Sequence, residues 1–148
     1  MSGNAIPNCE FDSKQLIMRL EANIPADVKA VEPLVRRVMD MVEQMGCAAG
    51  NEFEVETSLR EALVNAIVHG CKKNPSKMVQ FCVACDESRG MLIVVRDPGE
   101  GFDPASIPSP TMAQNIFSSH GRGIFLINKL MDDVRFERGG TEIHMIKH

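Results

Sequence analysis

The 148-residue sequence contains no tryptophan and no tyrosine, and aromatic residues make up only 5% of it. Hydrophobic residues still account for 44% and charged residues for 24%. This composition is enough for one sizeable core and too little for two. We therefore expect one domain over residues 14–148. The segment Met1–Ser13 has no hydrophobic periodicity, and we expect it to be a flexible leader.

An excess of basic residues is also missing. The sequence contains 16 Lys and Arg against 20 Asp and Glu, which gives a net charge of -4. Proteins that bind along a nucleic-acid backbone usually present a basic surface. We therefore expect no direct contact with DNA or RNA.

Long apolar runs and targeting signals are absent too. The run Met91–Val95 is typical in length, whereas a transmembrane helix needs roughly 18 apolar residues. Met1–Gln15 has neither the basic start nor the apolar segment of a secretion signal. The 5 cysteines are odd in number and lack the spacing of a small disulfide framework. We therefore expect a cytoplasmic protein with no membrane span and no disulfides.

Hydrophobic periodicity predicts a mixture of strands and helices. Apolar residues alternate over Leu16–Ala22, as in a strand, and recur every three or four residues over Val28–Met45, as in an amphipathic helix. Asn51 followed by Glu54 is typical of a helix N-cap, so a second helix is predicted over Glu52–His69. Four more strands and a third helix are predicted at Val79–Cys85, Met91–Val95, Val134–Glu137, Glu142–Ile146 and Gly121–Met131.

Two polar side chains of the second helix carry the first chemical signal. Glu61 and Asn65 lie four residues apart, so they point the same way on the helix. Such a pair suits a site in which the carboxylate accepts a proton and the amide oxygen binds a hard cation. The structural alternative is an exposed polar pair on a surface helix.

The second signal follows the strand that ends before Asp97. Because Gly99 and Gly101 lack a Cβ, the backbone can approach a planar ligand while the Asp97 carboxylate accepts a hydrogen bond. Adenine would fit this pattern; a Pro-Gly turn with a solvated aspartate is the structural alternative. The third signal is Gly121 and Gly123 at a predicted helix start, where free N–H groups can bind phosphate.

Other ligand motifs are missing from the sequence. It has no G-x-x-x-x-G-K-[ST] and no G-x-G-x-x-G, which excludes P-loop and Rossmann sites. Cys82 and Cys85 face opposite sides of a predicted strand, which argues against a shared metal. The histidines lack zinc-ligand spacing, and we expect His69 to be a packed or capping residue.

The order of the three signals carries a family resemblance. They read Glu61-Ala-Leu-Val-Asn65, then Asp97-Pro-Gly99-Glu-Gly101, then Gly121-Arg122-Gly123 before a helix. The chain resembles the GHKL superfamily of ATP-binding domains, whose N box, D-x-G-x-G box and G-x-G box follow in this order. Within that superfamily it is similar to bacterial anti-sigma regulatory factors with serine kinase activity. The likeness runs from about Leu16 to Lys147.

The resemblance implies a Bergerat-type fold, a two-layer α/β (α+β) sandwich in which helices cover one face of a mixed, mostly antiparallel sheet. ATP would bind between the helices and under the loop Phe102–His120. Asp97 would bind the adenine amino group, with Gly99 and Gly101 near the base and the Thr141 hydroxyl close by.

The resemblance also implies the residues around the phosphates. Asn65 would hold Mg²⁺, and the backbone from Gly121 to Gly123, together with Arg122, would line the phosphates. Glu61 occupies the family's general-base position. The implied activity is an ATP-dependent serine/threonine protein kinase and anti-sigma factor. It would phosphorylate a STAS-type antagonist and sequester a sigma factor or similar client; a homodimer is left open.

Two other functions remain open at this point. A binding module could use ATP only to set its shape and bind a partner without phosphoryl transfer. A simple ATPase could use Glu61 to activate water. A degenerate structural domain is disfavoured because all three boxes are complete. The layout has no dimerisation helix with a phosphoacceptor histidine, so we expect a stand-alone domain rather than a sensor kinase.

Overall fold

The structure is a computed structural model, and it describes residues 16–86, 90–99 and 119–148. The predicted leader Met1–Ser13 therefore lies outside the described residues. The strands are β1 Leu16–Pro25, β2 Met78–Asp86, β3 Gly90–Arg96, β4 Asp133–Glu137 and β5 Glu142–Lys147. The helices are α1 Val31–Met45, α2 Glu52–Asn65 and α3 Ser119–Leu130. Each predicted strand and helix is present, with end points that differ by a few residues.

The strands form one 5-stranded sheet in the order β1-β2-β3-β5-β4. Every described pairing is antiparallel. In the centre of the sheet Phe81 pairs with Val95, and Val95 pairs with Ile143. The predicted α+β architecture is confirmed.

The main core lies between the helices and one face of this sheet. Successive strand residues point to opposite faces, so Phe81, Val83 and Cys85 of β2 face the helices. Val35 and Val38 of α1, with Leu59 and Leu63 of α2, complete this core at 2% exposure or less. The predicted opposite orientation of Cys82 and Cys85 is confirmed, because Cys82 belongs to a separate cluster with Ala84, Leu92 and Val94.

Local sequence signals explain both ends of α1. Pro33 lies in the first helical turn, where its missing N–H breaks no helical hydrogen bond. A separate 3-10 turn, Val28–Ala30, precedes the helix. Gly46 ends α1 with a left-handed φ of 70° and donates its N–H to the Glu43 carbonyl, a conformation that favours glycine.

Asn51 occupies the predicted N-cap position of α2, but the predicted side-chain cap does not form. Asn51 makes no side-chain cap hydrogen bond; its Nδ2 donates to the His148 carbonyl at 3.0 Å. Glu52, rather than Glu54, accepts a backbone hydrogen bond, from Gly50 at 3.1 Å. A tertiary contact with the end of the chain has replaced the local capping box.

The expectation of no disulfides is also wrong. Cys47, just after the end of α1, is bonded to Cys85 of β2, with their Cα atoms 6.0 Å apart. This separation lies in the ordinary range for a disulfide. The two cysteines are 38 positions apart, so only the packing of the α1–α2 loop against the sheet reveals the pair.

None of the helices in the described ranges is both long and apolar enough to cross a membrane.

We predict that Leu59→Ala lowers the free energy of unfolding by about 2–5 kcal/mol, since Leu59 is fully buried and the truncation leaves a cavity. Phe53→Ala in the same helix is the control, because Phe53 is 69% exposed and its removal should change stability by about 0.5 kcal/mol or less. Urea unfolding measures both. Equal losses for the two variants would contradict the described orientation of α2.

Candidate functional site

A pocket of about 390 Å³ opens between α2, α3 and the end of the sheet where β3 finishes. Val95 and Ile143 form an apolar wall on the sheet side, and Ala62 and Ile124 face them from the helices. Polar side chains line the pocket as well, among them Asn65, Asp97 and Thr141. A cleft of this size that combines an apolar wall with placed polar groups is typical of a small-molecule site.

The helix α2 leads into this pocket through an unusual turn. Residues Ala66–Gly70 form a π-helical turn directly after Asn65, and the Cys71 N–H donates to the Ala66 carbonyl at 2.8 Å. Such turns inside or at the end of an α-helix are frequent at functional sites. Here the turn carries Gly70 and His69 to the pocket, where a continuing α-helix would present other residues.

Glu61 and Asn65 meet at one point of α3. A Cβ built on Gly123 would lie 3.0 Å from Asn65 Nδ2 and 3.1 Å from Glu61 Oε1. A side chain at position 123 would therefore press on both groups, and glycine allows α3 to approach them. The carboxylate and the amide that the sequence placed on one helix face are thus brought together beneath the start of α3.

Asp97 is fixed at the opposite side of the pocket. Its backbone N–H donates to the Thr141 carbonyl at 2.9 Å, which continues the pairing of β3 with β5 by one residue. Its Oδ1 accepts a hydrogen bond from the Gly99 N–H at 2.7 Å. The carboxylate therefore has a defined direction and keeps acceptor capacity for a ligand.

Two glycines make room for this carboxylate. A Cβ on Gly70 would collide with Cγ and both oxygens of Asp97. A Cβ on Gly99 would collide with the Gly70 carbonyl and would lie 2.7 Å from Asp97 Oδ1. Gly70, Asp97 and Gly99 therefore form a close-packed contact between the π-turn and the end of β3, which we call the Asp97 cradle.

Burial raises the pKa of Asp97, although the Gly99 hydrogen bond and the charge of Lys77 oppose this effect. Burial also raises the pKa of the Cys71 thiol, and the Asp97 charge adds to that increase. Ligand sites often contain a carboxyl group whose pKa is raised by burial in a cleft. A hydrogen-bond donor on a ligand would stabilise the ionised form of Asp97.

Buried side-chain contacts among Arg96, Glu142 and His144 link the strand ends on which the cradle depends. Arg96 Nε donates to Glu142 Oε2 at 2.8 Å, and His144 Nε2 lies 2.7 Å from Glu142 Oε1. Arg96 of β3 pairs with Glu142 of β5. Asp97 directly follows Arg96, and Thr141 directly precedes Glu142. These side-chain contacts therefore fix the register of the two strands where they reach the pocket.

The remaining predicted site residues have different outcomes. Thr141 lines the pocket, and its hydroxyl donates to the Arg138 carbonyl at 2.8 Å, which leaves its lone pairs to accept. Gly121 and Arg122 lie in the first turn of α3, because the helix begins at Ser119, two residues before the predicted start. Gly101 lies outside the described residues, as does the loop up to residue 118.

Some residues that line the pocket carry no sequence motif and were not predicted. They are Lys72, Lys77 and Phe136. Lys72 and the neighbouring Lys73 have positive φ angles of 52° and 59°, which is uncommon for residues other than glycine. The sequence Asn74-Pro75-Ser76 indicates a turn at this place. It does not indicate that the turn borders a cleft.

The described residues suit a metal that is shared with a ligand. No group of three His, Cys, Asp or Glu side chains within them could hold a metal ion alone. Asn65 and Glu61 supply oxygen donors of the type that Mg²⁺ accepts, and this ion commonly completes its shell with water and substrate phosphates.

We predict that Gly70→Ala destabilises the protein by about 1–3 kcal/mol, because the added methyl group overlaps the Asp97 carboxyl and must displace it. Thermal unfolding of Gly70→Ala in the wild-type and Asp97→Ala backgrounds measures the coupling. The cost should fall by at least about half when the carboxyl is absent. An unchanged cost would show that the two residues do not touch.

Comparison with known proteins places this site in a family. The sequence profile of the histidine kinase-like ATPase domain matches residues 24–147. The chain is 28% identical over 137 residues to the serine-protein kinase RsbW of Staphylococcus epidermidis, covering 87% of this chain and 86% of that protein. It is 34% identical over 118 residues to the anti-sigma F factor of Heyndrickxia coagulans, covering 76% and 80%.

A third relative is the serine-protein kinase RsbW of Bacillus subtilis, which is 26% identical over 138 residues and covers 87% of this chain and 84% of that protein. The profile match spans the elements that build the pocket, from the end of β1 to β5. The resemblance inferred from the three motifs is confirmed, and the chain belongs to the histidine kinase-like ATPase domain family.

Proposed function

We propose that this protein is an ATP-dependent serine/threonine protein kinase and anti-sigma regulatory factor. The observation that carries the proposal is the convergence of Glu61 and Asn65 at Gly123, beside a pocket whose far side holds Asp97. Family membership supports the binding of ATP, and the names of the relatives support a kinase and an anti-sigma factor.

Adenine fits the Asp97 side of the pocket. The exocyclic amino group of adenine is a donor, and the Asp97 carboxylate is an acceptor already oriented by the Gly99 N–H. Val95 and Ile143 provide an apolar surface for the base. The phosphates would then extend toward Asn65 and the first turn of α3, where the backbone N–H of Gly121 lacks a helical partner.

Glu61 would act on the protein substrate. Its carboxylate would accept the proton of a serine or threonine hydroxyl as that oxygen bonds to the γ-phosphorus of ATP. The bond between the γ-phosphorus and the β–γ bridging oxygen breaks, and ADP leaves with the bonding electrons. Because α3 touches Glu61 through Gly123, the helix limits the positions that the carboxylate can take.

A Mg²⁺ ion would be held by the Asn65 amide oxygen together with phosphate oxygens, and it would neutralise charge during phosphoryl transfer. Asn65 is suited to this role because it is the last residue of α2 before the π-turn. Its position therefore depends on the packing of α2 rather than on a loop.

We further propose that the substrate is a STAS-type antagonist and that the client is a sigma factor or an equivalent protein. Residues 14–148 would act as one domain in the cytoplasm, where such transcription factors work. Two other activities of the same pocket give different outcomes in the experiments below: nucleotide-dependent binding without phosphoryl transfer, and ATP hydrolysis with water as the acceptor.

We predict that Asp97→Asn weakens ATP binding by about 10- to 100-fold, since an ionised acceptor is replaced by an amide. The same variant should unfold at the same temperature as wild type or a higher one at neutral pH. The sign follows from the raised pKa: the ionised carboxylate costs stability in the folded state above its ordinary pKa, and the cost shrinks as the pH falls.

Calorimetry measures the affinity and thermal unfolding measures the stability. Asp132→Asn is the matched control, because hydrogen bonding to the His148 N–H lowers the pKa of that exposed carboxyl, so its loss should not stabilise the protein. Undiminished ATP binding by Asp97→Asn would place the base elsewhere.

We predict that Glu61→Gln reduces phosphoryl transfer to the antagonist by about 10²- to 10⁴-fold and changes ATP affinity by less than about threefold. Asn65→Ala should lose both Mg²⁺-dependent ATP binding and transfer. Mass spectrometry of the antagonist after incubation with Mg-ATP measures the product. Glu54→Gln, on the same helix, is the control and should keep full activity.

The outcomes separate the three activities. A cognate antagonist that stays unmodified while binding only in the presence of ATP would replace the kinase with a binding module. ADP production that depends on Glu61 and leaves all cognate proteins unmodified would indicate an ATPase. Either result would leave the nucleotide pocket itself in place.

A further inference from the structure

The Cys47–Cys85 bond lies at the end of the sheet opposite the pocket. Cys85 pairs with Met91 at the start of β3, whereas Asp97 follows the end of that strand. Six residues of strand separate the two levels, which is about 20 Å at roughly 3.3 Å per residue. The pair is therefore remote from Asp97 and from the adenine side of the proposed site.

The bond joins the loop between α1 and α2 to the end of the sheet. Cys47 lies in the loop between α1 and α2, and Cys85 lies in β2. The Asn51 hydrogen bond to the His148 carbonyl is a second tie between this loop and the sheet end. The loop carries the start of α2, so the covalent bond fixes where that helix begins.

The two sulfurs differ in their access to solvent. Cys47 is half-buried at the surface, whereas Cys85 is only 2% exposed. A small oxidant would reach Cys47 first, and Cys85 would then be the nearby thiol that completes the bond. Cys71 offers a contrast in the same chain, because it is fully buried and forms no disulfide.

We propose that Cys47 and Cys85 are a reversible dithiol site that hydrogen peroxide oxidises. The Cys47 thiolate attacks peroxide and becomes a sulfenic acid, with release of hydroxide. The Cys85 thiol then attacks the Cys47 sulfur, the S–S bond forms and the sulfenic oxygen leaves as water. In total the two thiols lose two electrons and two protons, and one peroxide is reduced to two waters.

The consequence is a change of stability rather than of the nucleotide site. The bond closes a loop of 38 residues, which restricts the unfolded chain. For a protein of this size such a restriction corresponds to a rise of about 5 to 15 °C in the unfolding temperature. Because the pair is remote from the pocket, ATP affinity should change by less than about twofold.

The first test maps the bond. Reduced protein is treated with hydrogen peroxide, alkylated and digested with trypsin, which releases the peptides Val38–Arg60 and Met78–Arg89. We expect a link between these two peptides that disappears after reduction, and fragmentation should place the Cys47 bond at Cys85. Cys82 shares the second peptide and is itself disulfide-bonded, so a further bond on that peptide is expected. A bond from Cys47 to Cys82, or no bond to Cys47 at all, would overturn the proposal.

The second test compares unfolding temperatures of reduced and peroxide-treated protein. The wild-type protein and Cys71→Ser should both show the full rise, and Cys47→Ser should show a smaller one, because the disulfide of Cys82 can still form. Cys47 is half-buried, so this variant should still fold, and the comparison is made within each variant. A rise in Cys47→Ser as large as in the wild-type protein would contradict the proposal. ATP binding measured on the same samples tests the proposed function separately.

Discussion

The close contact between Gly70 and Asp97 constrains the rest of the site. The Asp97 carboxylate occupies the space that a Cβ at position 70 would need, and the Gly70 carbonyl occupies the space that a Cβ at position 99 would need. The backbone of the π-turn after α2 must therefore lie in direct contact with the chain at the end of β3. Once they do, Asn65 and Asp97 face one pocket from opposite sides, and α3 closes it through Gly123.

The elements of the fold could be predicted because their signals are local. Alternation identified β1 and β2, a short apolar run after a turn identified β3, and three-to-four spacing identified α1. The pairing of Glu61 with Asn65 followed from helical geometry alone, since residues four apart share a face. Their meeting with Gly123 could be expected only through the family resemblance, because no local pattern relates α2 to α3.

What could not be predicted depends on tertiary contacts. Asn51 lies at the N-cap position, yet its side chain donates to the His148 carbonyl and caps no helical N–H. Cys47 and Cys85 meet because the α1–α2 loop packs on the sheet, which their spacing does not show. Lys72 and Lys77 reach the pocket because the π-turn redirects the chain after Asn65. For Asn51 and for the two cysteines, the deciding partner is distant in sequence.

The central claim is that adenine binds in the Asp97 cradle, with the phosphates directed toward Asn65 and Glu61. A crystal structure of the protein with Mg²⁺ and a non-hydrolysable ATP analogue tests it most directly. The account predicts the adenine amino group about 3 Å from an Asp97 carboxylate oxygen and the terminal phosphate beside Asn65. A nucleotide bound elsewhere, with Asp97 still paired only to the Gly99 N–H, would contradict it.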